Sequence, residues 1–286
     1  MSRLEPFRDG IWLQREDEHE LGAFKWRGAT AVLDAQRPEV VVTASTGNHG
    51  AATAWAARRA GVRAVVFVPE KASAAKVALI EAQGAELRYA GADVDEAKAA
   101  ARAFAVEQGA FFFEDGAEPA QFDGYEALGH ELLDALPEPP RAVVVPVGNG
   151  ALAIGVFRAV ARRAPEASRV AVSAAEAPAM YESWRSGRPV DSDRCTTFAD
   201  GLAVRVAIPL AVAELNPLVR RFELVSDREL ALALREYAAA GLRVEGAAAA
   251  PLAVAIRESL PRPTVLIVTG RNIDDALYER ILTGGA

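Results

Sequence analysis

The stretch AVVVPVGNGALAIG, Ala142–Gly155, joins a short apolar run to an amphipathic segment through two glycines. The run is rich in β-branched residues, which is typical of a strand buried on both faces. Gly148 and Gly150 allow a tight turn from this strand into a helix. A strand that passes directly into a helix in this way predicts a parallel sheet that is covered by helices.

The same alternation recurs along the chain. Each further apolar run precedes an Ala-rich helical pattern, and the clearest runs read EVVVTA, RAVVFVP, RVAVSAA, RFELVS and TVLIV. A length of 286 residues accommodates two compact lobes. We therefore predict an α/β fold with two doubly wound parallel-sheet domains. The segment from about Ser186 to Pro217 is the least regular, and we expect a long surface excursion there.

Composition excludes several classes of partner. The chain carries a net charge of −7 and no long basic run, which argues against nucleic acid and anionic membranes as general partners. Cys195 is the only cysteine, so no intrachain disulfide can form, and a reducing compartment fits. The first ten residues contain no apolar signal region. We predict a cytoplasmic protein with a small-molecule substrate.

Three loops at strand ends carry candidate binding residues. In a parallel sheet, ligands bind where the carboxyl ends of strands enter helices. The loop TASTGNHGA places hydroxyls, an amide and backbone N–H groups at such a point, which suits a carboxylate, although simple helix capping is the alternative. Its residues are Ser45, Thr46, Gly47, Asn48 and His49.

The glycine loop at Gly148 and Gly150 has the geometry of a phosphate site. A simple tight turn is one alternative. Another is dinucleotide binding, because Gly148, Gly150 and Ala153 fit the GxGxxA pattern and Glu176 follows the next strand. In VTGRNID, Thr269 adds a hydroxyl at the end of the last strand, although Thr-Gly is also common in turns.

Lysine is rare in this chain, with Lys25, Lys71, Lys76 and Lys98 as its four instances. Lys25 lies between two aromatic residues in GAFKWRGA, where an apolar pocket would make its amine nucleophilic. A lysine, a phosphate loop, a carboxylate loop and a hydroxyl are together the groups needed to hold pyridoxal 5′-phosphate (PLP).

The order of these motifs resembles the fold-type II PLP-dependent enzymes, in particular the serine/threonine dehydratase and serine racemase group. The similar segments run from about Trp12 to the C-terminus, and they read LQREDEHELGAFKWRGA, ASTGNHGAATAWAARRAG, EPAQFDGYEALGHELL, VVVPVGNGALAIGV, ADGLAV, VEGAAAAPLA and VTGRNID. The resemblance implies a tryptophan synthase beta-subunit-like architecture. It places a large PLP-binding domain at 1–39 and 118–286 and a small mobile domain at 40–117.

The resemblance also implies roles for individual residues. Lys25 would carry the cofactor, Phe24 would contact it, Asn48 would bind its 3′-oxygen, and Thr269 would face its pyridine nitrogen. The phosphate would be held by Gly148, Asn149, Gly150, Ala151 and Leu152. The substrate would be bound by Ser45, Thr46, Gly47, Asn48 and His49, with Ser45 or Thr46 as a catalytic group on its opposite face. A homodimer is the assembly that the family implies.

The activity implied is β-elimination of a small hydroxy-amino acid, such as serine or threonine, to an oxo acid and ammonia. Threonine synthase or racemase activity is an alternative within the fold. Outside it, the alternatives are an NAD(P)-dependent dehydrogenase and, because the phosphate loop reads Gly-Asn-Gly-Ala, a catalytically degenerate PLP-binding protein. Glu176 and Glu182 match acidic positions at which some relatives bind Mg²⁺ or Ca²⁺.

Overall fold

Two compact units make up the chain in a computed structural model that describes residues 3–72 and 74–284. The larger unit contains Met1–Phe24 and Tyr125–Ala286, and the smaller contains Lys25–Gly124. In chain order, the elements are β1 (Arg3–Arg8), β2 (Ile11–Arg15), α1 (Trp26–Gln36), β3 (Val40–Ala44), α2 (Asn48–Ala60), β4 (Arg63–Val68), α3 (Ala74–Glu81), β5 (Glu86–Tyr89), α4 (Val94–Gln108), β6 (Phe111–Phe112), α5 (Pro119–Ala135), β7 (Ala142–Pro146), α6 (Ala151–Arg163), β8 (Ser168–Ala174), α7 (Ala179–Ser186), a 3-10 turn (Asp200–Leu202), α8 (Pro209–Leu215), β9 (Arg221–Val225), α9 (Asp227–Ala239), α10 (Gly246–Arg257), β10 (Thr264–Val268) and α11 (Asp275–Leu282).

The larger unit is built on a six-stranded sheet with the order β1-β2-β10-β7-β8-β9. Only β1 runs antiparallel to its neighbour, and the other pairs are parallel. Every residue of β7 and β10 is buried, as expected for strands that are covered on both faces. Because parallel strands end at one edge of the sheet, the loops that follow β7 and β10 open on the same side of this unit.

The smaller unit is built on a four-stranded, wholly parallel sheet with the order β5-β4-β3-β6. Helix α2 is rich in alanine and buries nine residues, from His49 to Ala57, so it packs closely against the strands. It ends at Gly61, whose φ of 70° closes the helix in the left-handed region that favours glycine. The predicted pair of parallel α/β sheets is confirmed.

The contact-based boundary of the smaller unit differs from the predicted span of 40–117. Helix α1 makes its main helix contacts with α2 and belongs to the smaller unit, and the division falls inside α5. The predicted boundaries describe a domain that moves, which is a separate property, and they stay a prediction.

Two features of the larger unit were absent from the sequence-based expectation. Strands β1 and β2 were not predicted, because charged residues interrupt their apolar pattern. The surface excursion expected from Ser186 to Pro217 is wrong for its second half, where Ala199, Leu202 and Ala211 are buried. This segment packs through small residues and short helical turns, and neither gives a long hydrophobic period.

No helix within residues 3–72 and 74–284 is both long enough and apolar enough to cross a membrane.

Helix α9 begins with a capping box, in which Ser226 Oγ accepts from Glu229 N–H and the Glu229 carboxylate accepts from Ser226 N–H. We expect Ser226→Ala to lower the free energy of unfolding by about 1 kcal/mol, because one orphan N–H of the helix loses its partner. Urea unfolding measures this change. Ser226→Thr is the matched control, since threonine also caps helices; equal midpoints for the alanine variant and the parent would contradict the prediction.

Candidate active site

The loop after β3 leaves the first turn of α2 open. Gly47 occupies the N-cap position, so the cap residue has no side chain that could accept from the first turn of the helix. Ser45 Oγ accepts a hydrogen bond from Gly47 N–H at 3.1 Å, which holds the loop in a tight turn. Apart from its two chain neighbours, no atom of residues 3–72 and 74–284 would lie within 4 Å of a Cβ placed on Gly47, so the loop is open at this point. The amides and dipole of α2 therefore suit a carboxylate group.

His49 lies beneath this loop and is 6% exposed. Thr43 Oγ1 donates its proton to the carbonyl of Phe113, so His49 Nε2–H is the donor in its 3.0 Å contact with Thr43 Oγ1. Nδ1 then faces Asp115 Oδ1 at 3.7 Å. Burial lowers the pKa of His49, and the opposing attraction of Asp115 does not cancel that effect, so the imidazole is neutral at pH 7.

Asp115 follows β6 at the carboxyl edge of the same sheet, and its side chain is 16% exposed. Gln121 Nε2 donates to Asp115 Oδ1 at 2.7 Å, and Gln121 Oε1 accepts from Gly116 N–H at 2.8 Å. Burial alone would raise the pKa of Asp115. The charge of Lys25, together with His49 and the hydrogen bonds from Lys25 and Gln121, outweighs burial and holds that pKa well below its usual range.

Lys25 Nζ contacts Asp115 Oδ2 directly, as an ion pair and hydrogen bond. Its side chain is 20% exposed, and the residue caps the N-terminus of α1. The smaller unit therefore joins Lys25 and Asp115, which are 90 residues apart in the chain, with His49 on the far side of the carboxylate. An amine, a carboxylate and a neutral imidazole in one cluster can hold and exchange protons.

The loop after β7 approaches another part of the backbone closely. A Cβ on Gly148 would lie 2.3 Å from the carbonyl oxygen of Gly201, so a larger residue does not fit there. Gly150 has a φ of 96° and caps α6 without a side-chain hydrogen bond. The first turn of α6 includes Ala151 and Leu152, and the dipole and backbone N–H groups of this turn favour an anion.

Thr269 is buried directly after β10 and donates its hydroxyl proton to Glu245 Oε1 at 3.1 Å. Its carbonyl accepts from Phe24 N–H at 3.0 Å. A Cβ on Gly270 would lie 2.8 Å from the Glu245 carboxyl group, so this glycine makes room for the acid. Thr269, which the resemblance places at the pyridine nitrogen of the cofactor, is thus paired with a buried carboxylate.

The two acids proposed as metal ligands do not form a ligand set. Glu176 Oε1 accepts from Asp227 N–H at 3.3 Å, and Glu182 pairs with Arg185 at 3.1 Å. In the described part of the chain, no group of three or more His, Cys, Asp or Glu side chains could hold a metal ion. The structure gives the predicted Mg²⁺ or Ca²⁺ site no support.

The glycine loop, the open helix termini and the paired lysine agree with a match to one protein family. The model of the family described as pyridoxal-phosphate dependent enzyme matches residues 2–270. The chain belongs to this family. The family implies PLP as the cofactor, which confirms the prediction made from Lys25 and the loops.

Individual relatives of this PLP-dependent enzyme point the same way. It is 35% identical over 272 residues to an L-threonine ammonia-lyase of Geobacter sulfurreducens, covering 92% of this chain and 67% of the relative. It is 31% identical to an L-threonine ammonia-lyase of Thermotoga maritima, covering 96% and 70%. The resemblance to the threonine dehydratase group is confirmed.

Solved structures agree. The fold superposes with a TM-score of 0.90 on processed threonine deaminase isoform 2 from Solanum lycopersicum, at 25% identity, covering 96% of this chain and 82% of that one. Maize serine racemase superposes with a TM-score of 0.87, at 26% identity, covering 96% and 87%. The predicted fold-type II architecture is confirmed.

The residues of the glycine loop fit the phosphate of PLP. The close approach of Gly148 to Gly201 excludes a side chain at position 148, and the N-cap residue of α6 is Gly150, which has no side chain to compete with an anion. The dinucleotide alternative for this loop loses its basis, because the whole chain belongs to a PLP-dependent family.

Sequence reasoning missed Asp115, Gln121 and Glu245. Asp115 follows the short strand β6, so the rule that led to the other loops, side chains at the carboxyl ends of strands, could have found it. Gln121 and Glu245 lie in quoted motifs, but their roles depend on partners distant in sequence.

The neutral state of His49 gives a pH dependence of stability. Its folded pKa is lowered, whereas an unfolded histidine titrates near pH 6.5, so the unfolded chain binds an extra proton below about that pH. We expect stability to fall as the pH drops below about 6.5, by up to ~1.4 kcal/mol per pH unit for this one group. Thermal midpoints from pH 5 to 7 measure the slope.

His49→Gln should flatten this slope. His130→Gln is the control, because that side chain is 41% exposed. Equal slopes for the parent and the His49 variant would contradict a buried neutral imidazole.

Proposed function

We propose that this chain is a PLP-dependent ammonia-lyase that deaminates L-threonine or L-serine by β-elimination to an oxo acid and ammonia. The observation that carries the proposal is the cluster of the smaller unit, in which the amine of Lys25 is held against Asp115. Membership of the family and the two threonine ammonia-lyase relatives support the choice of reaction.

Lys25 is proposed to carry the cofactor and to remove the α-proton of the substrate. Gly148, Asn149, Gly150, Ala151 and Leu152 are proposed to hold the phosphate. Phe24, Asn48 and Thr269 are proposed to contact the cofactor at its ring. The close packing at Gly148, which admits no larger residue, and the N-terminus of α6 support the phosphate site.

Ser45, Thr46, Gly47 and Asn48 are proposed to bind the substrate carboxylate at the N-terminus of α2. The absence of a capping side chain there supports this assignment. The ring nitrogens of His49 face Thr43 and Asp115, so we propose that His49 supports the pair of Lys25 and Asp115 in place of the predicted contact with substrate.

PLP, when bound, supplies an aldehyde for amines and an electron sink for the α-carbon of the substrate. The protein supplies the base and the orientation. Lys25 removes the α-proton, the β-hydroxyl leaves as water, and the resulting unsaturated amine takes up water to release ammonia and the oxo acid. Ser45 and Thr46 are the candidates for a second group on the other face of the substrate, which would allow racemisation as a side reaction.

A substrate screen tests the proposal. Purified protein loaded with PLP is given L-serine, L-threonine, their D-isomers and O-phospho-L-homoserine, and oxo acid, ammonia, inversion and phosphate release are measured. Oxo acid and ammonia in equal amounts from serine or threonine support the lyase. Phosphate release without oxo acid favours a threonine synthase, inversion alone favours a racemase, and binding without turnover favours the degenerate protein.

The homodimer, the cytoplasmic location and the mobile domain at 40–117 stay predictions. Size-exclusion chromatography with light scattering tests the first of them.

Lys25→Ala should abolish covalent attachment of PLP. Borohydride treatment of the parent should leave a phosphopyridoxyl group on the peptide that contains Lys25, and mass spectrometry detects it. Lys71→Ala is the control, because that residue lies in a loop outside the cluster. A reducible PLP–protein bond that persists in the Lys25 variant would show that another amine carries the cofactor.

Thr269→Val should weaken PLP binding about 2- to 10-fold. The variant loses the proposed hydrogen bond between the hydroxyl and the cofactor ring, worth ~0.5–1.5 kcal/mol, and Glu245 loses a donor. A fluorescence titration of PLP-free protein measures the affinity. Thr264→Val is the matched control, because Thr264 is equally buried at the amino end of β10 and donates to the carbonyl of Pro261. Equal losses in both variants would assign the effect to folding.

A further inference from the structure

A carboxylate touches the proposed base. Asp115 Oδ2 contacts Lys25 Nζ, and Asp115 Oδ1 is held by Gln121. β-Elimination of serine or threonine needs two proton transfers, one from the α-carbon and one to the departing hydroxyl. Lys25 must be a neutral amine to accept the first proton, so it lacks the extra proton that the hydroxyl requires.

We propose that Asp115 is the catalytic acid that protonates the β-hydroxyl of the substrate as it leaves. The inference rests on the proposed function, because it takes Lys25 as the base for the α-proton. A carboxyl group in contact with that amine lies next to the atom that reacts, and the hydroxyl is carried on the carbon adjacent to the α-carbon.

The surroundings of Asp115 allow it to carry a proton at neutral pH. Lys25 is the main charge that keeps this carboxyl ionised, and His49 beside it is neutral. Once Lys25 becomes a neutral amine, burial favours the protonated acid. The cations Lys98 and Arg102 on α4 form ion pairs with Glu114, the residue that precedes Asp115.

Gln121 determines which oxygen carries the proton. Its Oε1 accepts from the backbone of Gly116, so its Nε2 must donate to Asp115 Oδ1. Oδ1 therefore acts as an acceptor. Oδ2 is the oxygen that contacts Lys25, so a proton passed on by the amine arrives there.

The proton balance closes on the pair itself. Transfer of a proton from Lys25 Nζ to Asp115 Oδ2 gives a neutral amine and a neutral acid. The amine takes the α-proton, the C–H electron pair forms the α,β double bond, and the C–O electron pair leaves with oxygen. Asp115 protonates that oxygen to give water. The pair is then an ammonium and a carboxylate, which is the charged pair whose contact the structure shows.

Leaving groups that need no proton test this role. Initial rates are measured for L-serine and for β-chloro-L-alanine, because chloride departs unprotonated. We expect Asp115→Asn to lower kcat for serine on the order of 100-fold, the usual scale of a general acid, and to change kcat for β-chloro-L-alanine only a few-fold. The ratio of the two rates is the diagnostic quantity.

Two further variants accompany the test. Glu114→Gln makes the same chemical change at the adjacent residue and should leave the ratio unchanged. Asp115→Glu retains an acid and should recover part of the serine rate. If Asp115→Asn fails to fold, the ratio measured for Asp115→Glu decides instead: a selective fall for serine supports the role, and parallel falls overturn it.

A second readout needs no turnover. In the full chain stripped of PLP, Asp115→Asn removes the carboxylate that contacts Lys25 Nζ, so we expect acetic anhydride at pH 8 to label Lys25 several-fold faster in this variant than in the parent. Glu114→Gln should change labelling of Lys98, its partner at 3.5 Å, and leave Lys25 unchanged. Mass spectrometry of the peptides, with Lys71 as internal reference, gives both rates.

The outcomes distinguish a failure of the role of Asp115 from a failure of the proposed function. A parent that forms oxo acid, with an Asp115→Asn variant that loses serine and β-chloro-L-alanine turnover in parallel, overturns the inference and leaves the proposed function standing. An unchanged serine rate in Asp115→Asn also overturns the inference and leaves the proposed function standing, because another group must then protonate the leaving hydroxyl. A parent that forms oxo acid from neither substrate overturns the proposed function, and the inference falls with it.

Discussion

A lysine–aspartate ion pair that is largely withdrawn from water constrains the smaller unit. Removing two charges from water is costly, and the cost is recovered only when geometry and additional hydrogen bonds are good. Lys25 and Asp115 meet this condition because Gln121 fixes one carboxylate oxygen and Lys25 meets the other. Asp115 follows β6, which pairs with β3, and Lys25 precedes α1, which packs against α2, so the fold of this unit brings together residues that are 90 positions apart.

Each unit leaves a helix N-terminus open. Helices α2 and α6 both follow a parallel strand, both begin after a glycine, and neither has a capping side chain. An uncapped terminus leaves N–H groups without partners inside the helix, and an anionic ligand supplies those partners. The N-terminus of α2 is therefore proposed to bind the substrate carboxylate, and that of α6 the cofactor phosphate.

Neutral groups matter as much as charged ones in this arrangement. Burial lowers the pKa of His49, so at pH 7 Lys25 is the main positive charge that faces Asp115. The hydroxyl of Thr269 donates its one proton to Glu245, so towards any further partner it acts as an acceptor. The resemblance implied that Thr269 faces the pyridine nitrogen of the cofactor, which stays a prediction, and Glu245, the partner of its hydroxyl, lies 24 residues earlier in the chain.

The sequence by itself determined the alternation of strands and helices, the loops at strand ends and the family. It also led to the proposal that Lys25 carries the cofactor. These features are local, because hydrophobic period, glycine content and short motifs can be recognised within a few residues. Asp115, Gln121 and Glu245 were decided by tertiary structure, since each depends on a partner brought close by folding. The burial of Ala199, Leu202 and Ala211 was decided in the same way, because their segment shows no hydrophobic period and packs against elements such as α10, where a Cβ on Gly201 would lie 2.9 Å from Ala247.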